Sequence, residues 1–87
     1  MLICEVIGHV WATKKEASLS GLKLMVVQEL TPDYQPTDRT FVAADSVGAG
    51  IGERVLTVSG STARRAFGKE ELSADAAIVG IIDSVET

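Results

Sequence analysis

The stretch FVAADSVGAGIGERVLTVSGSTAR, residues 41–64, changes its rule twice. Over residues 39–47 the side chains alternate as in a strand, with Phe41, Ala43 and Asp45 on one side and Val42 and Ala44 on the other. Glycines at 48, 50 and 52 then interrupt the pattern, and a second alternating run occupies 53–59. Two strands joined by a glycine-rich turn are expected, because glycine reaches positive φ and lets backbones approach closely. A dinucleotide fingerprint would need its glycines to open a helix, but Glu53 and a strand pattern follow; no Gly-Lys-Ser/Thr completes a phosphate loop either. Gly60-Ser61 then opens the one short helix, with Ser61 as N-cap, Ala63, Ala66 and Phe67 on one face, and Gly68 at the C′ position.

Working outward, residues 2–13 form a first strand whose even side (Leu2, Cys4, Val6, Gly8, Val10, Ala12) faces the core. The odd side carries Ile3, Ile7 and Trp11, too apolar for a face left in water. Residues 22–30 alternate again, and 31–38 hold Pro32 and Pro36, neither able to donate to a ladder, so this segment reads as a loop. Beyond the helix, 69–75 are polar and 76–85 make a last strand apolar on both faces, to be covered once by its own core and once by something else. Five strands and one short helix in a single domain over 1–87 predict an all-β chain, a small OB-like barrel whose closure removes exposed edges. A β-sandwich is the structural alternative, though five strands leave it thin.

Composition narrows the function. The 87 residues carry 12 acids against 8 bases, a net charge of −4, so a nucleic-acid partner is not expected: backbone phosphates need clustered Lys and Arg. The single Cys4 excludes an intramolecular disulfide framework and a cysteine-rich zinc site, and fits a reducing cytosol. No apolar run reaches the roughly 18 residues of a membrane span, and no basic segment precedes the apolar N-terminus as in a leader peptide. The 46% apolar share exceeds what one small core uses, which suggests association of subunits.

No active site assembles from the residues. Cys4 and His9, five apart on one strand, fall on opposite faces, so neither a metal nor a thiolate–imidazole pair is expected. Asp45 and Glu53 flank the glycine turn; Asp45 is expected to accept backbone N–H bonds from it, and Glu53 to pair with an arginine, one from a neighbouring subunit included. Arg64 and Arg65 read as a solvated or ion-paired helix face. The barrel raises an OB-type oligonucleotide- or small-ligand-binding module as the alternative function, but Trp11, Tyr34, Phe41 and Phe67 are scattered rather than gathered on one face.

The segments GHVWATKKEASLSGLKLMVVQ, VAADSVGAGIGERVLTVSGSTAR and DAAIVGIIDSV together resemble the EutN/CcmL family of bacterial microcompartment vertex proteins. The most specific part runs from Asp45 to Leu56 and from Ser59 to Arg64. The resemblance implies a non-enzymatic homopentamer without cofactors. It would cap five-fold corners of a cytoplasmic protein shell tiled elsewhere by hexameric shell proteins. It also implies a subunit-interface or pore position for Asp45, Gly48, Ala49, Gly50, Gly52, Glu53, Ser59, Gly60, Ser61 and Arg64, while the residues themselves add Ile3, Ile7 and Trp11 as apolar interface candidates. His9 and Trp11 depart from the smaller residues common in relatives, and the 31–38 loop lacks the glycine often found there.

Overall fold

The computed structural model describes residues 1–11, 21–66 and 76–86, with Ser61 and Arg64 described by their backbone alone. Strands β1 (Leu2–Val10), β2 (Lys23–Leu30), β3 (Pro36–Asp45) and β4 (Arg54–Ser59) precede helix α1 (Gly60–Ala66) and strand β5 (Ala76–Ile81). They close a barrel in the order β1-β2-β3-β5-β4, in which only the β3–β5 pair is parallel. The expected OB-like barrel is therefore the fold.

Alternation places the core as the chemistry of a closed sheet demands. Cys4 and Val6 of β1 point inward, as expected of the even side, and meet Met25 and Val27 of β2, Ala43 of β3, Val55 of β4 and Ile78 of β5. An irregularity between Val6 and Gly8 shifts the β1–β2 register, so the simple two-residue period ends there. A second shift lies between Gln28 and Leu30, and Leu30 is buried although it follows the opposite parity to Met25 and Val27.

Several boundaries differ from those expected. β3 starts at Pro36, inside the anticipated loop, because a proline opening a strand forfeits no ladder bond. β5 stops at Ile81 rather than 85, and β1 stops at Val10, leaving Trp11 beyond the strand and residues 12 and 13 outside the described ones. The helix begins at Gly60, one residue before the expected Ser61 cap; Ala63 is buried, but Ala66 is exposed rather than on the packed face. Phe67 and Gly68 lie outside the described residues.

The second apolar face of β5 is covered in part from within the chain. Val58, Ala63 and Ala77 form a small separate cluster with Val79 against it, so α1 lies on that face. The helix thereby covers Ala77 and part of Val79, while Ile81 at the end of the strand stays exposed. On the other side of the wall, Thr57 is buried with its hydroxyl 3.6 Å from Cys4 Sγ and 3.4 Å from the carbonyl of Leu2, to which it donates.

Candidate functional site: the glycine turn

The link between β3 and β4 is a short loop held by two carboxylates. Asp45 is the last residue of β3, and its side chain is 1% exposed. Its Oδ1 accepts from the amides of Val47 (2.9 Å) and Gly48 (3.1 Å), and its Oδ2 from the amide of Ala49 (2.8 Å). A carboxylate buried at a turn is stable only when its lone pairs are used this way. Lys23, at the start of β2, adds a counter-charge 3.5 Å from Asp45 Oδ2 and donates a 2.7 Å bond to the carbonyl of Ala49. The expected role of Asp45 is thus met.

Glu53 closes the other side. Its Oε1 accepts from the amide of Gly50 at 2.7 Å, and its own amide donates to the carbonyl of Gly50. Among the described residues Glu53 makes no ion pair with an arginine, so within the chain the expectation of such a pair is not met. The turn is also sewn to β1, since Gly52 donates to the carbonyl of Val6 and Val6 to that of Glu53.

The glycines divide by function. Gly48 and Gly52 have φ of +81° and +91°, a region that L side chains rarely enter. Gly50 has no such φ; a Cβ there would stand 3.4 Å from Glu53 Oε1, so it leaves room for the capping carboxylate. Between them the two non-glycine residues point opposite ways: Ala49 is fully buried in the core, whereas Ile51 is held out with 62% of its surface exposed.

The sequence-derived site residues do not form one cluster. Asp45, Gly48, Ala49, Gly50, Gly52 and Glu53 share the turn, but Ser59, Gly60, Ser61 and Arg64 begin only at the far end of β4, about 20 Å of strand away. Ile3 is half-buried between Leu30 and Leu56 in the ladder, so it offers less free surface than expected. Ile7 is exposed at the β1 irregularity beside the turn, and Trp11 is 87% exposed, stacked on His9 with ring centroids 5.3 Å apart. Sequence reasoning missed Val42 and Val47, both exposed, while the exposed Ile51 and Ile81 fell within the turn region and the doubly apolar last strand without being singled out. Ile51 carried a signal, since an apolar residue between two turn glycines has no strand face to turn inward.

The two other described aromatic rings each meet one arginine. Arg39 lies over Phe41 at 5.0 Å, and Arg54 over Tyr34 at 3.8 Å. The Tyr34–Arg54 contact joins the β2–β3 loop to the start of β4, two elements whose strands are separated by β1 in the barrel. Tyr34 is positioned by the β2–β3 loop, where its amide donates to the carbonyl of Thr31 and the Thr31 hydroxyl bonds Asp33 and the amide of Gln35. Burial pushes the Cys4 thiol above its ordinary range. Among the described residues no group of three His, Cys, Asp or Glu side chains is arranged to hold a metal, and no helix is long and apolar enough to cross a membrane.

Residues 1–83 match the family described as ethanolamine utilisation protein EutN/carboxysome. The chain is 51% identical over 87 residues to the bacterial microcompartment shell vertex protein GrpN of Rhodospirillum rubrum (strain F11), covering 100% of this chain and 98% of that protein. It is 46% identical to the carboxysome shell vertex protein CcmL of Synechocystis sp. (strain ATCC 27184 / PCC 6803 / Kazusa), over 98% of this chain and 85% of that one. Among solved structures, the GrpN pentameric microcompartment shell protein from Rhodospirillum rubrum superposes with a TM-score of 0.92 at 48% identity, covering 100% of this chain and 99% of that chain. With barrel and sequence matching over essentially the whole length, the chain belongs to the EutN/CcmL family.

Proposed function

We propose that the chain is a shell vertex subunit of a bacterial microcompartment in the cytoplasm. In this reading it is a homopentamer that fills five-fold corners of a layer otherwise built of hexameric shell proteins. The observation that carries it is the full-length match to a pentameric shell protein. A flat layer of hexamers has no curvature of its own, and five-fold units let it close. The work is structural rather than catalytic, and the two carboxylates best placed for acid–base chemistry, Asp45 and Glu53, are occupied by backbone amides of the turn.

The interface assignment is part of the same proposal. Ile7, Val47, Ile51 and Ile81 bring exposed apolar surface to the turn end of the barrel, where Asp45, Gly48, Ala49, Gly50, Gly52 and Glu53 fix the backbone. Ser59, Gly60, Ser61 and Arg64 would serve a separate contact at the opposite end of β4 or the pore, and Ile3 and Trp11 the rim.

Light scattering of the purified chain tests the ring: a mass of five subunits is expected at micromolar concentration, and a stable monomer or dimer contradicts it. Co-assembly tests the cap. Mixed with hexameric shell proteins, the chain should convert open sheets or tubes into closed particles seen by electron microscopy, and unchanged sheets would refute that role.

A further inference from the structure

The β2–β3 connection is a tight hairpin with the wrong residue at its strained position. The Thr31 amide donates to the carbonyl of Gln35 at 2.8 Å, enclosing Pro32, Asp33 and Tyr34, and the Tyr34 amide donates to the carbonyl of Thr31, also at 2.8 Å. Three-residue loops of this kind commonly end on a left-handed residue, for which glycine is the usual choice. Tyr34 takes that position with φ of +67°, alone among the described non-glycine residues in having a positive φ. An L side chain there works against the hairpin. So does its hydroxyl, which is buried without a hydrogen-bond partner among the described residues. What favours the arrangement is the face of the ring, whose centre lies 3.8 Å from the guanidinium carbon of Arg54.

Arg54 has a rival partner close by. Cys4 and Val55 face each other in the β1–β4 ladder and both are buried, so the next pair in register, Glu5 and Arg54, turns to the outer face. Residues directly opposed in an antiparallel ladder have Cβ atoms roughly 5 Å apart, and opposite charges there attract. Glu53 and Asp83 line the same hollow as Glu5 and Arg54. None of these three carboxylates makes an ion pair with Arg54, because the guanidinium is taken by the tyrosine ring.

We infer that Arg54 is a two-position strap. Stacked on Tyr34, as in the structure, it holds the 31–35 hairpin closed against the start of β4; turned to Glu5, it lets the hairpin go. The two partners respond differently to salt. The ring carries no net charge and is little screened, whereas an exposed Glu5–Arg54 pair weakens as ions surround it. Rising ionic strength therefore tightens the strap, the reverse of its effect on an ordinary surface ion pair.

Hydrogen exchange at the Thr31 and Tyr34 amides of the purified full chain tests the strap, since both amides are bonded while the hairpin is closed. Relative to intrinsic rates, Arg54→Ala should speed their exchange about two- to five-fold. Glu5→Gln removes the rival and should slow it, by up to about the same factor. Raising the ionic strength should slow exchange in the original chain and leave the Glu5→Gln chain unchanged. Tyr34→Gly separates strain from strap: beside Arg54 it relieves the backbone but gives up the stack, whereas in an Arg54→Ala background it only relieves the backbone. It should therefore slow exchange at Thr31 more in the second background than in the first. Equal effects in the two backgrounds overturn the proposal, as does Arg54→Ala without faster exchange or Glu5→Gln without slower exchange. These readouts lie within one chain and leave the number of subunits in the ring a separate question, decided by mass.

Discussion

Lys23 reaches from the start of β2 to the carbonyl of Ala49, 2.7 Å away, so the strand that neighbours β3 in the barrel wall holds the loop that leaves β3. The same ammonium stands 3.5 Å from the buried Asp45 carboxylate that caps the loop. Lys23→Met keeps the aliphatic stem and removes both interactions. With the lysine side chain 40% exposed, the ion pair is discounted for screening and the loss is expected at about 1 kcal/mol in urea unfolding.

Asp45→Ala should cost more, about 3 kcal/mol or above, because three turn amides lose their acceptor at once and the group removed is charged. Asp45→Asn, which keeps one carbonyl acceptor, should fall between the two in the same measurement. Equal stability of Asp45→Ala and the unaltered chain would mean that the turn is held elsewhere.

The three turn glycines should separate under alanine substitution. Gly48→Ala and Gly52→Ala force an L side chain into left-handed φ and should each cost about 1–2 kcal/mol. Gly50→Ala meets only the movable end of Glu53 and should cost less than either. Thermal unfolding of the three variants side by side checks the order.

Tyr34→Phe should leave stability within about 0.5 kcal/mol of the original or raise it slightly. The hydroxyl is buried with no hydrogen-bond partner among the described residues, while the ring keeps its contact with Arg54. Arg54→Ala should lose about 0.5–1 kcal/mol through that stacking. Chemical denaturation of both variants distinguishes ring from hydroxyl.

Cys4 links the core to alkaline pH. Burial raises its folded-state pKa above the ordinary thiol value of 9.0, so the unfolded chain gives up its proton first. The stabilisation is fully present below about pH 9 and is lost as pH rises through the raised folded value. A thiol reagent should leave the native chain unlabelled at neutral pH and react on unfolding. Cys4→Ala should lower overall stability by leaving a small cavity, yet flatten the decline above about pH 9.

Much of this was legible in the residues. Alternation found the inward face of β1 at Cys4 and Val6, and the glycine spacing found the turn; Asp45 declared itself as a cap because an acid before a glycine loop has amides to satisfy. What alternation does not carry is the irregularity at Val6/Gly8 and that at Gln28/Leu30, since a slipped register depends on the partner strand. Proximity was missed too: Ser59 and Gly48 read as one motif, although a whole strand separates them. The apolar faces of β5 were seen, but not that Ala63 of the helix would cover one of them, because helix placement on a barrel is set by tertiary packing. Val42 was hidden for a related reason. It sits beside the buried Ala43 and Ala44 at the place where the strand passes from one pairing partner to two.

That place has a kinetic meaning. Among the described residues the parallel seam joins β3 to β5 through Ala44 with Ala77 and Asp45 with Ile78, and it unites segments more than thirty residues apart, the kind of contact that forms late because the intervening chain must first be ordered. Asp45 belongs both to that seam and to the turn it caps. Until that seam closes, the residue that caps the turn lacks its β5 partner, so the last pairing of the barrel and the base of the turn are completed at one and the same position of the chain.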